Sequence, residues 1–148
     1  MLTSGEIALA RTIFGDAMDY GCIRIRRRKW FPFQSRHYAM VPCGHFHFHP
    51  RSSLYRDDYS TESLNWQGFF IHEMVHVWQV QTHGRWYLLA RRHPFCRYSY
   101  SLKPGWPLTR YGVEQQAEII RHAFLLRNGA KIAGVAGPEV YAELMRLA

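Results

Sequence analysis

Apolar positions recur along this chain with two different periods, and the places where the period changes mark its elements. Ile7, Leu9, Ala10, Ile13, Phe14, Ala17 and Met18 fall near helical spacing up to Tyr20-Gly21. Thr3 or Ser4 can cap this first helix, and Thr3-x-x-Glu6 has the spacing of a capping box. The period then drops to two in Ile23-Arg24-Ile25-Arg26, the pattern of a half-buried strand, which Arg27, Arg28 and Lys29 extend and Pro32 ends. Residues 38–41 and 45–49 read as two more strands, joined at Pro42-Cys43-Gly44. After a polar, loop-like stretch over 50–60, a long helix is predicted from about Glu62 to Thr82, with Ser60 or Thr61 as cap and Gly84 as stop. Pro94, Pro104, Gly105 and Pro107 make 85–110 a long loop with short pieces of structure, a kind more often functional than idle. A third helix spans about Val113 to Arg127 before Asn128-Gly129, and a last one starts near Pro138, a residue suited to the first helical position. The order predicts one α+β domain over 1–148: a small antiparallel sheet packed on a central helix, with flanking helices closing the core.

Composition narrows the class. With 148 residues, 47% hydrophobic and 20% charged, the chain has ample material for one core and is not disordered. No basic segment followed by an apolar run opens it, and no stretch is long and apolar enough to span a membrane. Cys22, Cys43 and Cys96 are odd in number and far apart, so they build neither a disulfide framework nor a CxxC zinc pattern. They read as reduced cysteines of a product made in the cytoplasm. A net charge of +8 favours anionic partners, such as nucleic acid, a phospholipid surface or an acidic polymer. The basic run from Arg24 to Lys29, with Arg91, Arg92, Arg97 and Arg110 around the long loop, carries no recognised nucleic-acid motif, and a solvated strand face explains it more simply.

The chemistry lies at the centre of the long helix, in His72-Glu73-Met74-Val75-His76. Four residues is just over one helical turn, so His72 and His76 share a face and can chelate one ion. Glu73 sits about 100° round the helix, within reach of a water that the metal activates, where it can act as general base. Nine histidines raise the chance of coincidence: a shuffled chain of this composition would carry the motif about once in 40. The neighbours Phe70, Ile71, Met74, Val75, Val77 and Trp78 make the helix apolar nearly all round, hence buried, and buried histidines and glutamate need partners that a metal supplies. Such a site needs a third protein ligand. Glu114 and Glu118 share a face of the third helix beside the apolar stripe of Val113, Ala117, Ile120 and Phe124, an odd place for solvated acids, and either could supply it.

H-E-x-x-H followed by Glu114-Gln115-Gln116-Ala117-Glu118 resembles the gluzincin metallopeptidases. That resemblance implies zinc held by His72, His76 and Glu114, with Glu118 hydrogen-bonding a ligand histidine. Glu118 stands where those enzymes usually carry Asp, and its longer arm leaves the two glutamates exchangeable. A closer resemblance covers Leu2-Thr3-x-Gly5-Glu6-Ile7-Ala8, Phe14-Gly15-Asp16, Phe70 through Gln79, and Glu114 through Glu118. It points to small bacterial proteins labelled Vgr-related or Rhs-associated and linked to toxin-delivering secretion systems. It implies a secretion-system partner and export without a signal peptide. Together these imply a Zn2+-dependent hydrolase of peptide bonds with Glu73 as general base. The competing expectations are a zinc-bearing adaptor of a secretion apparatus and a hydrolase directed at peptidoglycan.

Lesser candidates remain. His45, His47 and His49 share one face of a strand, either as a second metal site or as an edge strand bordering a peptide-binding cleft. His83 lies on the face of His72 and His76 but two turns away. Tyr98, Tyr100, Tyr111 and His122 are unranked candidates for stabilising an oxyanion. Asp57 and Asp58 suit the dipole of the long helix.

Overall fold

The computed structural model describes residues 1–91 and 97–146; Arg92, Pro94 and Cys96 lie outside them. Helix α1 runs Ser4–Phe14, and strands β1 (Ile25–Arg26) and β2 (Phe46–His47) follow. Next come the long α2 (Leu64–His83), the short α3 (Tyr87–Arg91), α4 (Val113–Arg127) and α5 (Pro138–Arg146). The architecture is α-rich with a small sheet.

The capping box is formed: Glu6 N donates to Thr3 Oγ1 at 3.0 Å and Thr3 N to Glu6 Oε2 at 2.9 Å. The buried Glu6 also accepts from Tyr59 N at 3.1 Å, which ties α1 to the turn before α2. Burial raises the Glu6 carboxyl above its ordinary pKa, against the pull of these backbone donors. Helix α1 is shorter than the apolar spacing predicts. It ends at Gly15, whose φ of +53° breaks the spiral, although Met18 still reaches the core.

The sheet corrects the expected topology. β1 and β2 are parallel, with Ile25 beside Phe46 and Arg26 beside His47. A parallel partner needs a long crossover, and residues 27–45 provide one without a helix. The anticipated hairpin survives as one antiparallel bridge between Met40 and His47. β2 is therefore bonded on both sides and is not the free edge expected for peptide docking.

The sheet lies on α2 through Phe46, stacked on Phe70 at 5.9 Å, and Tyr59 covers the same ring at 5.4 Å. The principal partner of α2, however, is α4. Gly68 permits the approach: a Cβ there would lie 2.9 Å from Leu125 Cδ2. Phe70, Ile71, Met74, Val75 and Val77 are fully buried, as a helix apolar on most sides requires. α2 starts at Leu64 after Ser63, later than expected, because residues 59–61 form a separate 3-10 turn capped by Asp58, which accepts from Ser60 N at 2.8 Å. Asp58 thus serves that turn and not the dipole of the long helix. α5 packs on α4 through Tyr141 and Leu144. Cys22 and Cys43 are free and exposed, not small core residues.

Candidate metal centre

The α2–α4 contact builds the site from two helical repeats. The four-residue step on α2 sets the rings of His72 and His76 edge to face, 5.2 Å apart. Across the seam, the first turn of α4 presents Glu114, whose Oε2 lies 3.2 Å from His76 Nε2 and 3.5 Å from His72 Nε2. All three residues are buried. Among the described residues they are the one group whose ligand atoms converge, within 4.8 Å of one another, as a single ion requires.

The outer nitrogens explain why the inner ones converge. Gln79 Nε2 donates to the Val113 carbonyl at 3.1 Å and to Gln116 Oε1 at 2.8 Å, while Gln116 Nε2 donates to the Tyr111 carbonyl at 2.8 Å. Backbone carbonyls accept only, so both amides are fixed in orientation. Gln79 Oε1 then faces His76 Nδ1 at 2.9 Å and must accept its proton. That places the proton of neutral His76 on Nδ1 and the lone pair of Nε2 toward Glu114. His72 follows the same plan: Nδ1 lies 2.8 Å from Glu118 Oε1, leaving Nε2 toward Glu114. Gln79 thus accepts from His76 Nδ1, and Glu118 pairs by charge with His72 Nδ1, an arrangement that orients histidine ligands and raises their basicity.

The charges are consistent with that plan. Burial opposes a positive His72, but Glu114, Glu118 and Glu73 outweigh it and raise its pKa to about 9. Burial likewise pushes Glu118 up, yet His72 and Arg121 pull it below the ordinary carboxylate range. Arg121 Nη1 lies 3.3 Å from Glu118 Oε1. Glu73 is buried beside the ligands, and its Oε2 has no hydrogen-bond partner among the described residues. Leaving a buried charge unsatisfied costs several kcal/mol, and such groups persist mainly where function needs them. A cation among His72, His76 and Glu114 would bring bound water within reach of the unpartnered Glu73 oxygen, so the residues present fit a metal.

A cavity of about 500 Å³ lies beside Glu118, lined by Tyr98, Tyr100, Leu102, His122, Val135 and Tyr141 and by none of His72, Glu73, His76 or Glu114. Tyr98 stacks on His72 at 6.2 Å. The Tyr100 hydroxyl bonds to His122 Nδ1 and lies 2.6 Å from the Tyr141 hydroxyl, while His122 Nε2 is 3.7 Å from Glu118 Oε2. Of the four oxyanion candidates, Tyr98, Tyr100 and His122 border this cavity. Tyr111 is buried and accepts from Lys103 N at 2.9 Å, a structural task. His83 stacks on Tyr87 at 4.3 Å, at the far end of α2. His45, His47 and His49 do not converge as ligands. Burial and the nearby Arg26 lower the pKa of both His45 and His47. Sequence reasoning missed Gln79 and Gln116. Their signal was a glutamine three residues after His76, on the same inward face.

No family model matches the chain. It is 43% identical over 134 residues to the type VI secretion system spike protein VgrG2b of Pseudomonas aeruginosa. That alignment takes in 86% of this chain and only 13% of the spike protein. The solved effector domain of Pseudomonas aeruginosa VgrG2b superimposes with a TM-score of 0.77 and 36% identity, over 99% of this chain and 81% of that domain.

Proposed function

The chain belongs to the family of the VgrG2b effector domain, and from that premise we propose that it is a zinc-dependent hydrolase of peptide bonds, a metallopeptidase of gluzincin type. The observation that carries the reading is the pair of Nε2 atoms turned on one Glu114 oxygen, each ring fixed from behind. Two imidazoles and one carboxylate are a donor set typical of catalytic zinc, with a position left for substrate or water. His72, His76 and Glu114 would hold the ion. When bound, it supplies Lewis acidity that polarises a carbonyl and brings the pKa of water toward neutrality.

The chain's own residues do the rest. Glu73, buried and with one oxygen unengaged, takes the proton from the attacking water and returns it to the leaving amine. Glu118 and Gln79 hold the two rings in the tautomer that presents Nε2. Kinship with a secretion-system spike protein supports delivery by such an apparatus, with the spike as partner. No helix among the described residues is long and apolar enough to cross a membrane.

The test uses the full chain, loaded with zinc, and fluorescein-labelled denatured casein. Glu73→Gln should keep the metal and lose turnover by about a thousandfold, while His72→Ala should lose the metal. Equal turnover of metal-replete wild type and Glu73→Gln, or folded wild type that takes up no zinc, would overturn the reading.

A further inference from the structure

The whole net charge of +8 resides in one stretch. Between Asp19 and Asp57 the chain holds eight Arg and Lys residues and no acid, while the remainder holds eleven of each sign. This stretch contains the sheet and its crossover and none of the residues of the metal centre. Among the described residues, no ion pair with a carboxylate involves Arg24, Arg26, Arg27, Arg28, Lys29, Arg36 or Arg51. The field is therefore concentrated and not neutralised internally.

Set in that field is an apolar turn, Trp30-Phe31-Pro32-Phe33. Phe33 is 88% exposed and Trp30 41%. The turn is tied down. Buried Gln34 accepts from Trp30 N at 2.8 Å and donates to the His47 carbonyl of β2 at 2.7 Å, and Lys29 Nζ donates to the Pro32 carbonyl at 2.9 Å. The backbone of the turn is fixed while the Phe33 ring stands in water, and that ring would gain on entering an apolar phase.

We propose that this turn and its basic flanks form a docking surface for an anionic phospholipid bilayer. Phe33 and Trp30 enter the headgroup region, and Arg26, Arg28 and Arg36, all exposed, lie against the lipid phosphates. Charge complementarity and the composition of the tip select this occupant. Four consecutive residues without a polar side chain except the indole N–H suit lipid, whereas a nucleic-acid surface would interleave hydrogen-bonding groups to meet bases. The Trp30 and Phe31 rings meet edge to face at 75°, so the two are not aligned as a parallel platform on which successive bases would stack.

The test is co-sedimentation of the full chain with vesicles of phosphatidylcholine alone or with 30% phosphatidylglycerol, in about 50 mM salt. Binding is expected only to the anionic vesicles, with release in about 0.5 M salt. Arg26→Glu combined with Arg28→Glu should weaken partitioning at least about tenfold, and Phe33→Ser about tenfold. Both alter exposed side chains, so unchanged circular dichroism and metal content should accompany the loss. Failure of wild type to prefer anionic vesicles would overturn the proposal. So would full retention by Phe33→Ser with tighter binding to a 20-base-pair duplex, which would assign the surface to nucleic acid.

Discussion

The two halves of this molecule treat polarity in opposite ways. In the α2–α4 seam, two histidines and three glutamates are buried or half-buried among apolar side chains, and the network that orients the rings ends on backbone carbonyls. In the stretch from 20 to 56, the charges are of one sign and face outward, with a sheet of two residues per strand. The seam acts on a ligand by geometry, because buried partners fix each atom to within a hydrogen bond. The basic stretch acts by field, which needs exposure and no particular register. The difference predicts that chemistry in the seam is sensitive to single protons and single amides, whereas the basic stretch is sensitive to salt.

The sharpest way to break that comparison is pH. In the metal-free protein His72 is held positive up to about 9, burial being outweighed by Glu114 and Glu118. A raised pKa means the folded state binds the proton more tightly than the unfolded chain. The stabilisation is therefore fully present below the ordinary histidine value of about 6.5 and is lost as pH rises through about 9. Metal needs His72 neutral, so it competes with that proton. Apparent zinc affinity, measured by competition with a chelator, should rise about tenfold per pH unit between pH 7 and 9, with one proton released per ion. Affinity that is flat over this range would show that the seam does not hold His72 as described.

A smaller effect sharpens the same contrast. Gln79→Leu keeps the volume of the side chain but removes the acceptor behind His76 and the side-chain donor to the Val113 carbonyl and to Gln116 Oε1. Loss of such a supporting contact typically weakens metal binding by 10–100-fold, and that range is expected here in zinc titration. Vesicle binding should be unchanged. A variant that retains full affinity would mean that the Gln79–Gln116 network shapes the helix seam without orienting the ring.

How much of this was legible depends on which physics set each feature. Helical spacing brings His72 and His76 to one face and Glu114 and Glu118 to another, so the histidine pair and its two candidate carboxylates could be read from periodicity. Spacing alone does not separate Glu114 from Glu118, although the resemblance favours Glu114 as the ligand. The structure separates them by side of ring, Glu114 at Nε2 and Glu118 at Nδ1 of His72. Strand direction was not legible, because the same alternation of Ile23 to Arg26 and His45 to His49 fits either direction and the path of the 27–45 crossover decides. The end of α1 was hidden by Ala17 and Met18, which keep the apolar spacing after Gly15 has turned the chain. Helix α3 at Tyr87–Arg91 is a single short segment within the expected loop, too brief for its period to register.

The least effect is expected where the two regions should be independent. Gln34 is the buried tie between the apolar turn and β2, bonded to Trp30 N and to the His47 carbonyl. Gln34→Ala removes one of the two donors to that carbonyl, which still accepts from Met40 N at 3.1 Å, and leaves Trp30 N without its side-chain acceptor, a loss of about 1 kcal/mol. For a chain of this size that lowers the midpoint of thermal unfolding by several degrees. The change lies outside the α2–α4 seam, and substitutions that share no partners act separately. Zinc affinity should therefore match wild type, while the turn that carries Phe33 loosens and anionic-vesicle binding falls a few-fold, less than for Phe33→Ser. If zinc affinity fell together with stability, the sheet would have to position α2 through Phe46 and Phe70, and the two regions would be one mechanical unit.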